Sequence, residues 1–386
     1  MKNFIIPIAF LLCLFILSCQ KEGNGFKLSE NNVIEISPNE MSEFAISEYT
    51  KLDYKSSIEY VVLKNSPAEL SSVEEVLAND ELIICLDYPS DTNRKLYLFD
   101  RSGFYFKTIL FSDLGIEFSD VKLTQDHIFV MDGYNRTITK FDFNGVRISQ
   151  LDVALERMFD FTYQDRNDQY VIHTPYVSSN EDNGVLNIVS GNNDFIDKWG
   201  VPETDGNQLF STNGRYCNSI NGDVYFRELG KGSIYHLDGS GNMNKIIEAN
   251  IDDMGPELQG EVGSVPNANE LIASQPFIRM FANDNYLALN RLTPEGYFTY
   301  FYDLSDQSIL KIRKNIYLEH VEDQFDFFFP EIAGCSSDRF ISFYSSEKYK
   351  RHLDFLNQVN DDASNMVGHL PYVGNQNDPV LMFFNI

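Results

Sequence analysis

Five copies of one turn frame constrain this chain more than any other feature: Asp100-Arg101-Ser102-Gly103, Asp142-Phe143-Asn144-Gly145, Ser190-Gly191-Asn192-Asn193, Asp238-Gly239-Ser240-Gly241 and a weaker Asp303-Leu304-Ser305-Asp306. An Asx or Ser side chain in first place can bond its own backbone two residues on, and Gly or Asn in fourth place accepts a left-handed conformation. Such tetrads join the two strands of a hairpin. They start 42, 48, 48 and 65 residues apart. A period in the forties filled with strand-like rather than helix-like apolar spacing is the mark of a β repeat.

Around each tetrad the same order of short strands can be read. The first unit runs through residues 72–79, 81–87, 95–100 and 104–110, the second through 120–125, 127–132, 137–142 and 146–151, and the third through 159–164, 169–173, 185–190 and 194–199. Fourth and fifth units follow between residues 215 and 249 and between 277 and 314. The sixth offers only three strands, the last being Val380 to Ile386, while residues 57–64 form a strong strand with no partner in its own unit. The expected fold is therefore all-β: a six-bladed β-propeller of four-stranded antiparallel blades, its ring closed by the N-terminal strand joining the C-terminal blade. Counts of five or seven blades stay open, because the sixth unit lacks its tetrad.

The N-terminus reads differently. Lys2 precedes an apolar run of 14 residues, Phe4 to Leu17, and Ile16-Leu17-Ser18 leads into Cys19. Fourteen residues are too few to span a bilayer as a helix. The pattern resembles the lipobox of bacterial lipoproteins, which implies removal of residues 1–18 and lipidation of Cys19. Polar, glycine-bearing residues from 19 to about 30 then form a flexible tether, leaving 31–386 as one propeller domain. Gln20 after the cysteine implies, through the same resemblance, an outer-membrane address on an unspecified side.

Charge narrows the partners. The chain carries 30 Lys and Arg against 57 Asp and Glu, a net −27, so nucleic acid is excluded as a partner by repulsion. The membrane is expected as a partner through the lipid alone. Of five cysteines, Cys85, Cys217 and Cys335 remain beyond the lipobox, too scattered for a disulfide framework.

The lipobox, the repeated unit and the Asp378-Pro379-Val380-Leu381 run together resemble the six-bladed β-propeller lipoproteins, related in shape to NHL-repeat propellers. The resemblance covers nearly all of the chain after the signal and implies a fold and an address but no chemistry. The residues themselves carry no catalytic signature: no HExxH, no P-loop, no GxSxG. His127, His173 and His236 lie in three consecutive units but at different strand positions, so no metal or other cofactor is expected. Asp238, Ser240 and Asn242 mimic the start of a calcium loop, yet Met243 and Ala249 stand where such a loop needs Gly and Glu.

What remains is a binding or interaction module for a small molecule, a glycan or a protein, with a metal-dependent lyase or lactonase of the propeller type as the alternative. Strand counting puts every long insertion (174–184, 200–214, 250–276, 315–330 and 346–378) at one end of the strands. Loops built out on a rigid scaffold are where recognition usually sits. The candidate binding residues are Tyr176, Phe210, Arg215, Phe277, Arg279, Arg291, Phe327, Phe328, Phe329, His352 and Tyr372, Arg and aromatic groups of the kind that dominate interfaces. Packing of those aromatics onto the scaffold is the competing explanation, with residues 348–359 as a small amphipathic helix.

Overall fold

The computed structural model describes residues 28–29, 34–36, 59–65, 70, 73–87, 94–115, 120–155, 158–174, 176–177, 184–200, 203–204, 217–220, 223–227, 232–249, 279–293, 296–315, 332–350 and 378–385. The described chain is all-β and of propeller type, a succession of four-stranded antiparallel arrays with strands in sequence order. The first array is Val73–Ala78, Leu82–Asp87, Lys95–Asp100 and Tyr105–Leu110, and the second is Asp120–Leu123, Ile128–Asp132, Thr137–Phe141 and Arg147–Asp152. The third is Asp160–Gln164, Gln169–His173, Leu186–Ser190 and Phe195–Trp199, and the fourth Cys217–Ile220, Asp223–Arg227, Ser233–Leu237 and Met243–Ala249. The fifth is Arg279–Ala282, Tyr286–Thr293, Gly296–Asp303 and Ile309–Asn315. A last array takes Gly334–Cys335, Phe340–Tyr344 and Val380–Phe384 from the C-terminal region and Glu59–Val62 from the N-terminal one.

The unpartnered strand of the sequence therefore pairs antiparallel with Val380–Phe384, Val62 opposite Val380 and Glu59 opposite Phe383. The first and last arrays are themselves joined, Gly334 and Cys335 lying parallel to Val76 and Leu77. Glycine is required there: a Cβ on Gly334 would stand 1.7 Å from the Val76 carbonyl oxygen.

Strand alternation explains why these strands are apolar on both sides. Leu96 and Leu98 face the second array, packing with Val121, Ile128 and Val130, whereas Tyr97 and Phe99 between them face the last array and meet Leu381 and Phe383. A strand buried on both faces reads as a continuous apolar run, as in the fully buried Leu82–Asp87. Each pair of consecutive arrays encloses a cluster of this kind, as do the last and the first. The first strands likewise touch in succession, 73–78 against 120–123, then 160–164, 217–220, 279–282, 334–335 and back to 73–78.

The tetrads behave as their chemistry demands. Asp100 Oδ1 accepts from the Ser102 and Phe104 amides at 2.9 and 3.0 Å, and Asp238 Oδ1 from those of Ser240 and Asn242, both at 2.9 Å. Gly103, Gly145, Asn193 and Gly241 all have positive φ in fourth place. At Asp303 the left-handed residue is Gln307, one place later, which is why that copy looks weak in the sequence. The turns lean on their neighbours: a Cβ on Gly103 would lie 2.1 Å from the Val62 carbonyl oxygen.

Two features depart from the strand reading. The second hairpin of the fifth array is longer than its counterparts, Tyr286–Thr293 pairing with Gly296–Asp303. Leu28–Ser29 and Ile34–Ile36 pair parallel to the outer strand Met243–Ala249, so the chain is already paired at Leu28, inside the stretch assigned to the tether.

Candidate functional site

Antiparallel order gives every array two ends. Links from first to second and from third to fourth strand share the turn end; links from second to third strand and between arrays share the loop end. Chemistry gathers on the axis between the first strands, and differs between the ends.

At the turn end a cavity of about 430 Å³ is lined from all six first strands and their turns, including Asn79, Thr124, Thr162, Asn218, Asn283 and Ser336. Most of this polarity is used locally. Asn79 Oδ1 accepts from the Glu81 and Leu82 amides at 3.0 and 2.8 Å, and its Nδ2 donates to the Thr124 carbonyl at 2.7 Å. Asn283 Oδ1 repeats the turn with Asn285 and Tyr286, and Ser336 Oγ accepts from the Arg339 amide. This second family of turns escaped the sequence reading, although Ala-Asn-Asp stands at both 78–80 and 282–284.

Deeper on the axis, where the first strands open at the loop end, Lys122 bridges two carboxylates, 2.6 Å from Asp120 Oδ2 and 3.0 Å from Asp160 Oδ1. All three residues are buried. Each carboxylate also accepts its following residue's amide, Val121 at 2.8 Å and Phe161 at 2.7 Å. The triad ties the second array to the third and closes the cavity floor.

Charge accumulates at the loop end. Burial pushes Glu74 up to about 7, Arg279 of the fifth array and Arg94 pull it down, and Glu75 raises it. Glu74 and Arg279 thus share one field across the axis although their strands belong to different arrays. His173 is fully buried, edge-on to Phe226 at 5.1 Å and to Phe159 at 6.0 Å. Burial holds its ring down at about 3, against Asp160, which raises it, and with Arg227, which lowers it further; the imidazole is neutral at physiological pH. Arg227, 2% exposed, and Asp87 and Asp132, 3% and 1% exposed, end second strands at this same level.

The three histidines have separate surroundings. His127 lies edge-on to Phe129, and His236 stacks on Tyr225 with Nε2 2.9 Å from Asp223. Among the described residues no group of three His, Cys, Asp or Glu is placed to hold a metal ion. Asp238, Ser240 and Asn242 form a hairpin turn.

Of the residues singled out in the sequence, Arg279 opens the first strand of the fifth array at the loop end, and its charge lowers the pKa of Glu74. Arg291 lies in the extended hairpin, opposite Phe298. Tyr176 begins a short parallel pair, Tyr176 with Glu203 and Val177 with Thr204, that links the insertions after the second and fourth strands of the third array. Cys19, Phe210, Arg215, Phe277, Phe327, Phe328, Phe329, His352 and Tyr372 lie outside the described residues. In the insertion after Tyr344, residues 346–350 are helical and Tyr349 is buried against Tyr344 and Tyr60, so this aromatic packs the insertion onto the scaffold.

No family model matches the chain, and no curated sequence does either. Solved structures do resemble it. A Bacteroides fragilis protein described as exported covers 86% of this chain and 96% of its own at 12% identity, with a TM-score of 0.62. A member of the DUF4221 family from Bacteroides vulgatus matches at 10% identity over 86% and 99% of the two chains, TM-score 0.43. Virginiamycin B lyase from Staphylococcus aureus matches at 8% over 85% and 99%, TM-score 0.40. At 12% identity the first likeness speaks for a shared fold alone, and the other two are too distant to carry an argument.

Proposed function

We propose that this protein is a lipid-anchored β-propeller of the cell envelope, six blades in a closed ring, that recognises a small molecule, a glycan or a partner protein at its loop end. The observation that carries the binding assignment is the gathering of charge at the end from which every long insertion departs, half-buried Glu74 and Arg279 of the first and fifth arrays with buried Asp132, Asp160 and Arg227 of the second, third and fourth. Burying so much charge costs free energy that packing alone would not require. Recognition sites tolerate that cost because desolvated charge discriminates between ligands.

The ring count is supported by the six inter-array clusters and by the strand 59–62 beside 380–384. Deleting residues 380–386 removes five buried side chains, Val380 to Phe384, worth about 10 kcal/mol by area, as much as a typical domain's stability. A cooperative melt unchanged by that deletion would break the ring. The envelope address rests on the run before Cys19, and the exported relative in fold agrees with it.

The binding assignment is tested by thermal-shift screening against millimolar sugars, oligosaccharides and amino acids. A stabilising compound should lose its effect with Arg279→Ala and Arg291→Ala and keep it with Asn218→Ala in the turn-end cavity. The reverse pattern would move the site to the 430 Å³ cavity.

A further inference from the structure

The outer strands of the first three arrays share a device that no turn requires. In each, the pairing between third and fourth strand slips by one residue, leaving Phe106, Ile148 and Ile196 as the extra residue of a β-bulge. All three stand three places after the left-handed turn residue, Gly103, Gly145 or Asn193. A bulge re-aims the side chain it carries. Here it aims an apolar one at solvent: Phe106, Ile148 and Ile196 are 46%, 52% and 47% exposed. Phe104, Val146 and Phe195, beside them, are 45%, 57% and 50% exposed, so six of the eight exposed large apolar residues of the described chain sit at this one level of three consecutive arrays. In the fourth array the slip comes deeper, at Ile246, which packs partly into the core.

The fourth array carries the leader instead. Leu28 pairs parallel with Met243, the first residue of the outer strand, and Ile36 with Ala249, its last. The chain therefore enters at the turn end of that strand, the place equivalent to the bulges of its neighbours. Cys19 lies nine residues before Leu28. Nine extended residues reach at most about 30 Å.

We infer that the bulged turn-end rim of the first three arrays is a lipid-contact surface, lying against the bilayer in which the lipid on Cys19 is inserted. The inference rests on the anchor proposed above. A leash that short, fixed at the same level of the neighbouring array, keeps this rim within about 30 Å of the lipid surface, within reach of the interfacial layer for its six exposed apolar side chains. At this level Arg101, Lys107 and Arg147 stand with Asp100, Asp142 and Asp194, so the rim is close to neutral within a chain of net charge −27, and the lipid it suits is zwitterionic. The loop end is then presented away from the membrane.

The test uses the lipidated full chain in phosphatidylcholine vesicles. Its single tryptophan, Trp199, is replaced by Phe, and a reporter is introduced as Ile148→Trp on the rim or Tyr134→Trp on the loop end, where Tyr134 is 77% exposed. With brominated phosphatidylcholine, emission at 148 should fall about twofold or more, as expected for a side chain within the interfacial layer, and emission at 134 should hold. Equal quenching at both positions, or quenching at 134 alone, overturns the orientation while leaving the anchor intact. Failure of the unsubstituted chain to float with vesicles, or flotation undiminished by Cys19→Ala, overturns the anchor and the orientation with it. An unquenched 148 together with a dimer dispersed by Phe106→Ser and Ile148→Ser would assign the rim to a second copy of the chain and overturn the inference.

Discussion

The two ends of the first strands spend polar groups in opposite ways. At the turn end, Asn79, Thr124, Asn283 and Ser336 bond backbone within three residues of themselves, so each array closes its own turn, and only neutral amide bonds such as Asn79 Nδ2 to the Thr124 carbonyl cross to the next array. At the loop end, Asp160 answers Lys122 from the neighbouring array and Glu74 feels Arg279 from an array that follows it by some two hundred residues. Local satisfaction makes an end that any one repeat can build. Satisfaction between arrays makes an end that exists only once the arrays are assembled.

The sharpest way to break this contrast is Lys122→Ala, which leaves Asp120 and Asp160 buried side by side and should cost about 3–5 kcal/mol in chemical denaturation. Lys122→Met combined with Asp120→Asn and Asp160→Asn should recover most of the loss. A single substitution costing under about 1 kcal/mol would show that water reaches the triad.

Glu74 offers a pH test of the same end. Its folded value of about 7 lies above the ordinary 4.5, so it adds stability only while protonated: the contribution is complete below 4.5 and is lost as pH rises through about 7. Glu74→Gln should therefore gain on the native chain by on the order of 1–2 kcal/mol between about pH 5 and pH 8, after allowance for its partial exposure. Parallel melting curves across that range would remove Glu74 from the buried cluster. His173 works the other way, losing stability as pH falls below its unfolded value of 6.5, and cancels in the comparison because both proteins carry it.

Smaller effects belong to the turn end. Asn283→Ala takes the acceptor from the Asn285 and Tyr286 amides and should cost about 1–2 kcal/mol, without altering the pH dependence. Asp142→Ala, at an exposed tetrad where Oδ1 accepts from the Val146 amide, should cost about 0.5–1 kcal/mol. If Asn283→Ala proved as damaging as Lys122→Ala, the turn end would be coupled across arrays and the contrast would fail.

This contrast also explains what could be read in advance. Tetrads are legible because Asx and left-handed chemistry acts within four residues, and four of five place the left-handed residue where the sequence puts it. The inner Asn turns carry the same kind of signal, in Ala-Asn-Asp at 78 and 282. The axial charges could not be read that way. Lys122, Asp160, His173 and Arg227 sit in strands whose alternation makes them look like solvent-facing positions, and the partners that bury them are fixed only by how one array stacks on the next. Arg279 was singled out for its place beside an insertion; its relation to Glu74 needs the whole circuit of first strands. The bulged apolar residues, too, look like ordinary core positions until the register is known.

The pairing of Glu59–Val62 with Val380–Phe384 has a consequence for time rather than for energy. The two strands come from opposite ends of the chain, so a growing polypeptide makes the first of them long before its partner exists, by roughly tens of seconds at ordinary rates of synthesis. Throughout that interval the early strand keeps a bare edge, and neighbouring arrays can form and stack while it waits. Among the described strands this pairing has the greatest separation along the chain, and closing so long a loop belongs to the slow end of folding. The pairing is thus complete only once residues 380–384 have been made.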